Sequence, residues 1–247
     1  MFTPSERESF TTHGLFRRQG FLSNKKLADA RSQIFAHLEH AGIWRDGSWH
    51  FEQTAPHYGM ALIKPLNHHR TIVELASGEA FAAASELADD PLDLPGHPAL
   101  LFTLPNATTW TLPHQNWHVD TPPLPEGGVP GVQMFAILER VEAGGGGTLA
   151  VMGSHRLVHE GVRMSSADLR RKLERETYFS ELMSNSTDDR MRFLNEIGHV
   201  GDVELKVAEM TGEPGDVYFM DMRVLHTISP NKLRVPRIML TQRYRRQ

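Results

Sequence analysis

Apolar positions keep two different rhythms along this 247-residue chain. Through residues 1–97 they recur near the helical interval, as Leu27, Ile34, Leu38 and Ile43 do. Ser23-Asn24 stands ahead of that run as a start signal, and Gly42 behind it as a stop. Thr3-Pro4-Ser5-Glu6 predicts an earlier helix, with the threonine and glutamate spaced to cap one another. A further helix is predicted over 70–87, rich in Ala, Glu and Leu and closed by the Asp89-Asp90-Pro91 turn.

From Pro98 onward the apolar runs shorten, and Gly and Pro separate them. Strands are predicted at 99–104, 115–119, 131–141, 148–153, 203–210, 216–221, 224–228 and 237–244. Turn signals fall at Pro122-Pro123, Gly144–Gly147, Gly212 and Pro214-Gly215. Strands at this spacing suggest a two-sheet jelly roll. A charged helical stretch at 164–196 interrupts them and is expected to cover one mouth of the barrel. The fold expected is mainly β: a double-stranded β-helix, cupin-like, in one domain. Residues 1–97 form its flanking helical layer, and 98–247 form the core with its helical insert.

Composition narrows the chemistry. A formal net charge of -4 argues against a nucleic-acid-binding surface. The one basic cluster, Arg243-Tyr244-Arg245-Arg246, reads as a solvated C-terminal tail. With no cysteine there is neither a disulfide framework nor a thiolate metal ligand, so any metal must be held by histidine and carboxylate. The N-terminus is polar and no apolar run reaches membrane-spanning length, so the expectation is a soluble cytoplasmic protein with no membrane partner.

Against that background, His118-Val119-Asp120 and His226 stand out. On a strand, residues 118 and 120 point to one face and both can reach one ion, while Val119 suits a core face. Two imidazoles and one carboxylate suit Fe(II), leaving positions open for a cosubstrate and dioxygen. Eleven residues beyond His226 lies Arg237, whose guanidinium can grip a carboxylate through two parallel hydrogen bonds. Each residue also has a plainer reading. His118 and His226 could be hydrogen-bonded core histidines, and Asp120 a cap on the Thr121-Pro122-Pro123 turn. The His-x-Glu spacing recurs at His37 and His50, so the tripeptide alone is weak. The conjunction of His-x-Asp, a distal histidine and a following arginine favours the metal.

Four segments extend the pattern: His118-x-Asp120; Gly147 through Arg156; Gly215-Asp216-Val217; and Asp221-x-Arg223-x-x-His226 through Asn231 to Pro236-Arg237. Across roughly residues 98–244 they resemble the phytanoyl-CoA dioxygenase-like family of non-haem Fe(II)/2-oxoglutarate oxygenases. The resemblance implies that His118, Asp120 and His226 ligate iron and that Arg237 binds the distal carboxylate of 2-oxoglutarate, with Arg234 as the nearby alternative. It implies Fe(II), 2-oxoglutarate and dioxygen as cofactor and cosubstrates, a small-molecule substrate, and hydroxylation with release of succinate and carbon dioxide. The acidic ligand Asp120 favours hydroxylation over halogenation. One departure is Ile228, where the family often carries a small hydroxyl residue that helps hold the carboxylate. Thr148 or Gln133 is expected to supply that contact, or Arg237 holds the carboxylate alone.

Other signals have plainer explanations. The run Gly144–Gly147 lacks a following Lys-Ser/Thr and reads as a tight connection rather than a phosphate cradle. Ser154-His155 has no G-x-S-x-G elbow, which leaves His155 a structural role. His68, His69 and His114 read as polar pocket or surface residues, and Trp117 as core. Arg223 either reaches substrate or braces Asp221. The pocket roof is expected from 50–70 and 164–196. Two other function classes compete: a non-redox cupin-type metal enzyme (isomerase or hydrolase) and a non-catalytic small-molecule-binding jelly roll.

Overall fold

The computed structural model describes residues 2–51, 58–93, 96–120, 128–158 and 166–246. Helix α1 (Pro4–His13) starts at Thr3, whose hydroxyl accepts from the Glu6 amide while the Glu6 carboxylate takes the Thr3 amide. At Gly14 the backbone turns left-handed (φ 69°) into strand β1 (Leu15–Arg18). Ser23 caps α2 (Asn24–His40), which buries Leu27, Ala30, Ile34 and Leu38. A hairpin of β2 (Trp44–Arg45) and β3 (Ser48–Trp49) follows, then α3 (Tyr58–Ile63). The single helix expected over 70–87 is two, α4 (Arg70–Ala76) and α5 (Glu79–Ala88). Extended Ser77 and Gly78 (φ 58°) break it, and the re-aimed α5 lays Ala80, Ala83, Ala84 and Leu87 into the core.

The strands that follow are β4 (Leu92–Asp93), β5 (Ala99–Thr103), β6 (Gly131–Ile137) and β7 (Leu149–Met152). Then come α6 (Ser166–Leu173), α7 (Thr177–Leu182) and α8 (Arg192–Asn195), and β8 (Gly198–Val200), β9 (Val203–Glu209), β10 (Val217–Asp221), β11 (His226–Thr227) and β12 (Arg237–Arg246). One antiparallel sheet runs β1-β10-β6-β12, with β4 and β5 both on β12; the other runs β11-β7-β9-β8. The two sheets face each other as a jelly roll, and the pairings among the described residues do not close a barrel.

Side-chain alternation sorts the layers. Val132, Met134 and Ala136 of β6, with Phe219 and Leu240, pack outward under the N-terminal helices. Phe135 and Ile137, with Tyr218, Met220 and Met239, point inward toward Ala150 and Met210 of the second sheet. Both faces of β6 are thus covered, which is why it is buried along its whole length. The Gly215-Asp216-Val217 motif is a structural pin. The Asp216 carboxylate accepts from Arg17 Nη2 (2.5 Å), Gly20 N (2.8 Å) and Glu213 N (2.8 Å), tying β1 to β10.

Three expectations are corrected here. The insert does not cap a mouth: its described part packs Leu169, Leu173, Phe179 and Leu182 on Leu149, Val151, Leu205 and Val207, the outer face of the second sheet. Residues 115–119 form no strand beyond a single bridge between His118 and His226. The basic C-terminal cluster is no solvated tail, because it ends β12, with Tyr244 fully buried. Of the expected roof, residues 52–57 and 164–165 lie outside the described residues, as do the Thr121-Pro122-Pro123 turn and any capping of it. Among the described residues no helix is long and apolar enough to cross a membrane.

Candidate metal centre

His118, Asp120 and His226 converge, one donor atom from each lying within 4.8 Å of the others. Backbone bonds clamp the two histidines across the bridge, His118 N to His226 O at 3.0 Å and His226 N to His118 O at 2.9 Å. Asp120 N donates to Met222 O at 3.2 Å, which fixes the carboxylate alongside. Each imidazole lays Nδ1 against the carbonyl two residues before it: Asn116 O at 2.8 Å for His118, Val224 O at 3.0 Å for His226. A carbonyl can only accept, so Nδ1 carries the proton and Nε2 keeps its lone pair for a metal. Asn116 is left-handed (φ 63°), which aims its carbonyl back at the ring. Trp117 and Val119 pack behind, among the outer apolar residues of the second sheet.

Charge suits the same use. Burial, and then the neighbouring His226, pull His118 below the usual imidazole range, so it is neutral at pH 7. Burial alone would raise Asp120, but the adjoining His226 ring and the Arg243 guanidinium hold it well below the usual carboxylate range. Arg243 escapes the sequence reading. Its Nε (2.8 Å) and Nη2 (2.6 Å) both reach Asp120 Oδ2. The available signal was its even, six-residue interval from Arg237, which places both on one face of a strand.

Arg237 opens β12 on the inner face and is 3% exposed. Its Nη2 donates to Thr103 Oγ1 at 2.7 Å, while Nε and Nη1 are buried with no hydrogen-bond partner. Burial lowers it to about 10, opposed by the charge of Glu209, so it remains a cation at neutral pH. Nη1 and the second hydrogen of Nη2 form the end-on fork that one carboxylate accepts from, and Nε is a further buried donor beside it. Asn231 holds the preceding loop by donating Nδ2 to Thr103 O (3.2 Å) and Val235 O (2.9 Å). Arg234 is exposed.

Thr103, which the sequence reading passed over, is the hydroxyl beside Arg237, its register partner on β5. Thr148 is buried next to Leu149, whose partner on β9 is Glu209, and so lies toward Arg237's side. Gln133 lies elsewhere. It pairs in register with Arg243, gives Nε2 to Thr241 Oγ1 (3.1 Å), and stands roughly 20 Å of strand from Arg237's position on β12. It lies at the end of the gap where Arg243 meets Asp120, away from Arg237. Ile228 is 64% exposed, beside His118 in a surface cleft with Asn116, Trp117 and Thr227.

The remaining candidates are structural. Ser154 Oγ donates to Val151 O (2.6 Å) and accepts from Leu225 N (2.9 Å), while His155 Nε2 lies 3.0 Å from Thr11 O. Arg223 braces Asp221 (2.6 Å). A Cβ at Gly147 would stand 2.6 Å from Met210 O, which is why that connection needs glycine. His69 caps α4 and His68 packs on His97. Among the described residues the triad is the one cluster of three such ligand side chains.

No protein-family model matches the sequence, and no curated protein does. Solved structures do match in fold. The non-haem α-ketoglutarate-dependent carbocyclase SnoK from nogalamycin biosynthesis is 19% identical, with a TM-score of 0.61 over 99% of this chain and 84% of that one. HygX from Streptomyces hygroscopicus, with nickel and 2-oxoglutarate bound, is 15% identical, with a TM-score of 0.58 over 99% and 87%. EctD from S. alaskensis, with 2-oxoglutarate and 5-hydroxyectoine, is 16% identical, with a TM-score of 0.55 over 99% and 76%. At these identities the likeness establishes the jelly-roll architecture.

Proposed function

We propose that this protein is an Fe(II)- and 2-oxoglutarate-dependent oxygenase that hydroxylates a C–H bond of a small molecule. One observation carries the reading. A two-histidine, one-carboxylate cluster with both Nε2 atoms freed shares the inter-sheet gap with a buried arginine that has two unsatisfied donors. The donor set fits Fe(II), and the fold is one in which structural neighbours hold nickel or iron with 2-oxoglutarate. When bound, iron, 2-oxoglutarate and dioxygen supply the oxidising chemistry, releasing succinate and carbon dioxide.

The chain's own part is positioning. His118, Asp120 and His226 hold the metal, and the Asn116 and Val224 carbonyls fix the two rings. Arg237, with Thr103, grips the distal carboxylate; Thr148 is the next hydroxyl on that side. Gln133 and Arg243 act at the metal end, with Arg243 keeping the Asp120 carboxylate ionised and oriented. The apolar floor of Phe135, whose ring centre lies 6.2 Å from that of His226, keeps water from the inner side. Arg237 has no assigned work in a non-redox metal enzyme, which is why that reading ranks second.

Anaerobic titration with Fe(II) and 2-oxoglutarate tests this. The expected result is the visible charge-transfer band of the chelate in wild type, its loss in His226→Ala, and a higher 2-oxoglutarate requirement in Arg237→Ala with metal binding intact. Tight zinc or manganese binding with no band would replace the proposal by the non-redox enzyme. Because some neighbours are an epimerase and a carbocyclase, the product test is the gain of one oxygen atom by mass spectrometry.

A further inference from the structure

The inner face of β12 continues past the triad. Positions 237, 239, 241, 243 and 245 alternate inward, and the last of these reach a second cavity of ≈ 130 Å³. Its lining includes His97, Thr241, Arg243 and Arg245. Arg243 commits Nε and Nη2 to Asp120 Oδ2, which leaves Nη1 uncommitted to that carboxylate. Arg245 is less engaged still. Its Nε is buried with no hydrogen-bond partner, and among the described residues no carboxylate pairs with it. The adjacent Arg246 is paired with Asp90. Behind the wall, Gln133 (2% exposed) holds Thr241 through Nε2 while its Oε1 is unpartnered.

A buried, unsatisfied guanidinium nitrogen beside a second arginine is a costly arrangement unless an anion meets it. The cosubstrate does not fill that role, since Arg237 lies at the opposite end of the strand. The volume also decides. A pocket this size admits one oxyanion group, not a whole drug-sized ligand, for which several hundred Å³ is usual.

We propose that this cavity is an anion subsite, holding a carboxylate or phosphate-like group of the substrate on Arg243 and Arg245. The inference rests on the oxygenase reading only in naming the ligand as the substrate; the anion site stands on its own residues. Through Arg243 the site also touches the metal carboxylate, so an anchored anion places the rest of the substrate next to the triad.

The experiment is calorimetric titration of the protein, loaded anaerobically with Fe(II) and 2-oxoglutarate, with two probes. Sulfate stands for a tetrahedral dianion and acetate for a planar carboxylate, and the chelate band is followed throughout. The expected result is saturable binding of one probe, weakened about tenfold in Arg245→Gln and partly restored in Arg245→Lys. The band should be unchanged in both variants, which also reports that they fold. Sulfate preference would assign a phosphate-like group, and acetate preference a carboxylate. Absence of saturable binding of either probe, equal binding by Arg245→Gln, or loss of the band on adding the probe would overturn the proposal. Retained anion binding with no band under any condition would keep the subsite and overturn the oxygenase reading instead.

Discussion

Replacing Arg237 with methionine separates binding from stability, because the structure predicts opposite signs for the two. In the protein without cosubstrate, Arg237 keeps one hydrogen bond, to Thr103, and leaves Nε and Nη1 buried without partners. Each unsatisfied donor costs about 1–3 kcal/mol, while the bond to Thr103 returns about 1.5–3 kcal/mol. Methionine nearly matches the length and leaves little cavity, so the two donors' about 2–6 kcal/mol less the bond's about 1.5–3 centres the net change on about 2 kcal/mol in favour of the variant. For a chain of this size that is a rise in Tm of roughly 4–8 °C. Adding 2-oxoglutarate with Mn(II) should stabilise wild type by about 2.7 kcal/mol at a hundredfold excess over Kd and leave Arg237→Met almost unmoved. Differential scanning calorimetry of both proteins, with and without cosubstrate, reads all four states. A cosubstrate-free variant melting more than 5 °C below wild type would refute the reasoning, since Arg237 would then be a structural ion and not a waiting ligand.

Three further outcomes follow from the same geometry. Asn116→Val puts a β-branched residue at φ 63° and should cost about 1–3 kcal/mol and weaken metal binding roughly tenfold, while Asn116→Gly stays near wild type; equal metal affinities in an equilibrium titration would exclude the carbonyl of Asn116 as the orienting group. Arg190 donates to the carbonyls of Leu112 (2.7 Å), Pro113 (3.0 Å), Leu182 (2.5 Å) and Ser184 (2.5 Å), joining the insert to the loop before His118. Arg190→Ala should therefore lose about 2–4 kcal/mol, seen as a Tm roughly 5–15 °C lower, and a drop of under 2 °C would show that the insert holds without it. Burial pulls His155 below its ordinary range, so between its folded value and the unfolded value near 6.5 the unfolded chain binds more protons. Stability should fall as pH drops below about 6.5, and His155→Gln should flatten that slope in urea melts at pH 5 to 7; an unchanged slope would place the proton uptake elsewhere.

The legible parts of this chain are those whose signal is local. Reciprocal spacing at Thr3 and Glu6 marks α1, and the apolar stretch 134–138 marks a strand at β6. The short β1 falls in His13–Ser23, a segment legible only through its loose likeness to the family's opening helix–strand, because its partner is far away in sequence, Leu15 lying opposite Met220. At 115–119 the alternation was real, with Trp117 and Val119 packed on one side and His118 and Asp120 on the other. The ladder was not, because left-handed Asn116 allows only the single bridge to His226. By charge alone Arg243 and Arg245 resemble a solvated tail. Counted by twos from Arg237 they fall on the inner face, with Tyr244 packed outward among the helices. Spacing could point to Arg237, but the missing partners of its Nε and Nη1 depend on what the fold brings near them.

Charge gives the site a character opposite to that of the whole molecule. The chain carries a formal charge of -4, yet the gap holds Arg237, Arg243 and Arg245 against Asp120 among its described residues. Glu209, the acid that Arg237 feels, offsets one more charge only when ionised, and burial pushes its carboxyl up. In the proposed holoenzyme the charges of Fe(II) and doubly ionised 2-oxoglutarate would cancel, and loading the site would leave its positive excess in place. A field of this kind, between low-dielectric walls on an otherwise anionic surface, would draw an anion to the mouth and repel cations. Attraction of that origin is screened over about 8–10 Å at physiological salt, so it acts on capture at the mouth. The buried contacts of Arg237 are screened far less, and the cosubstrate should stay bound at ionic strengths that slow substrate entry.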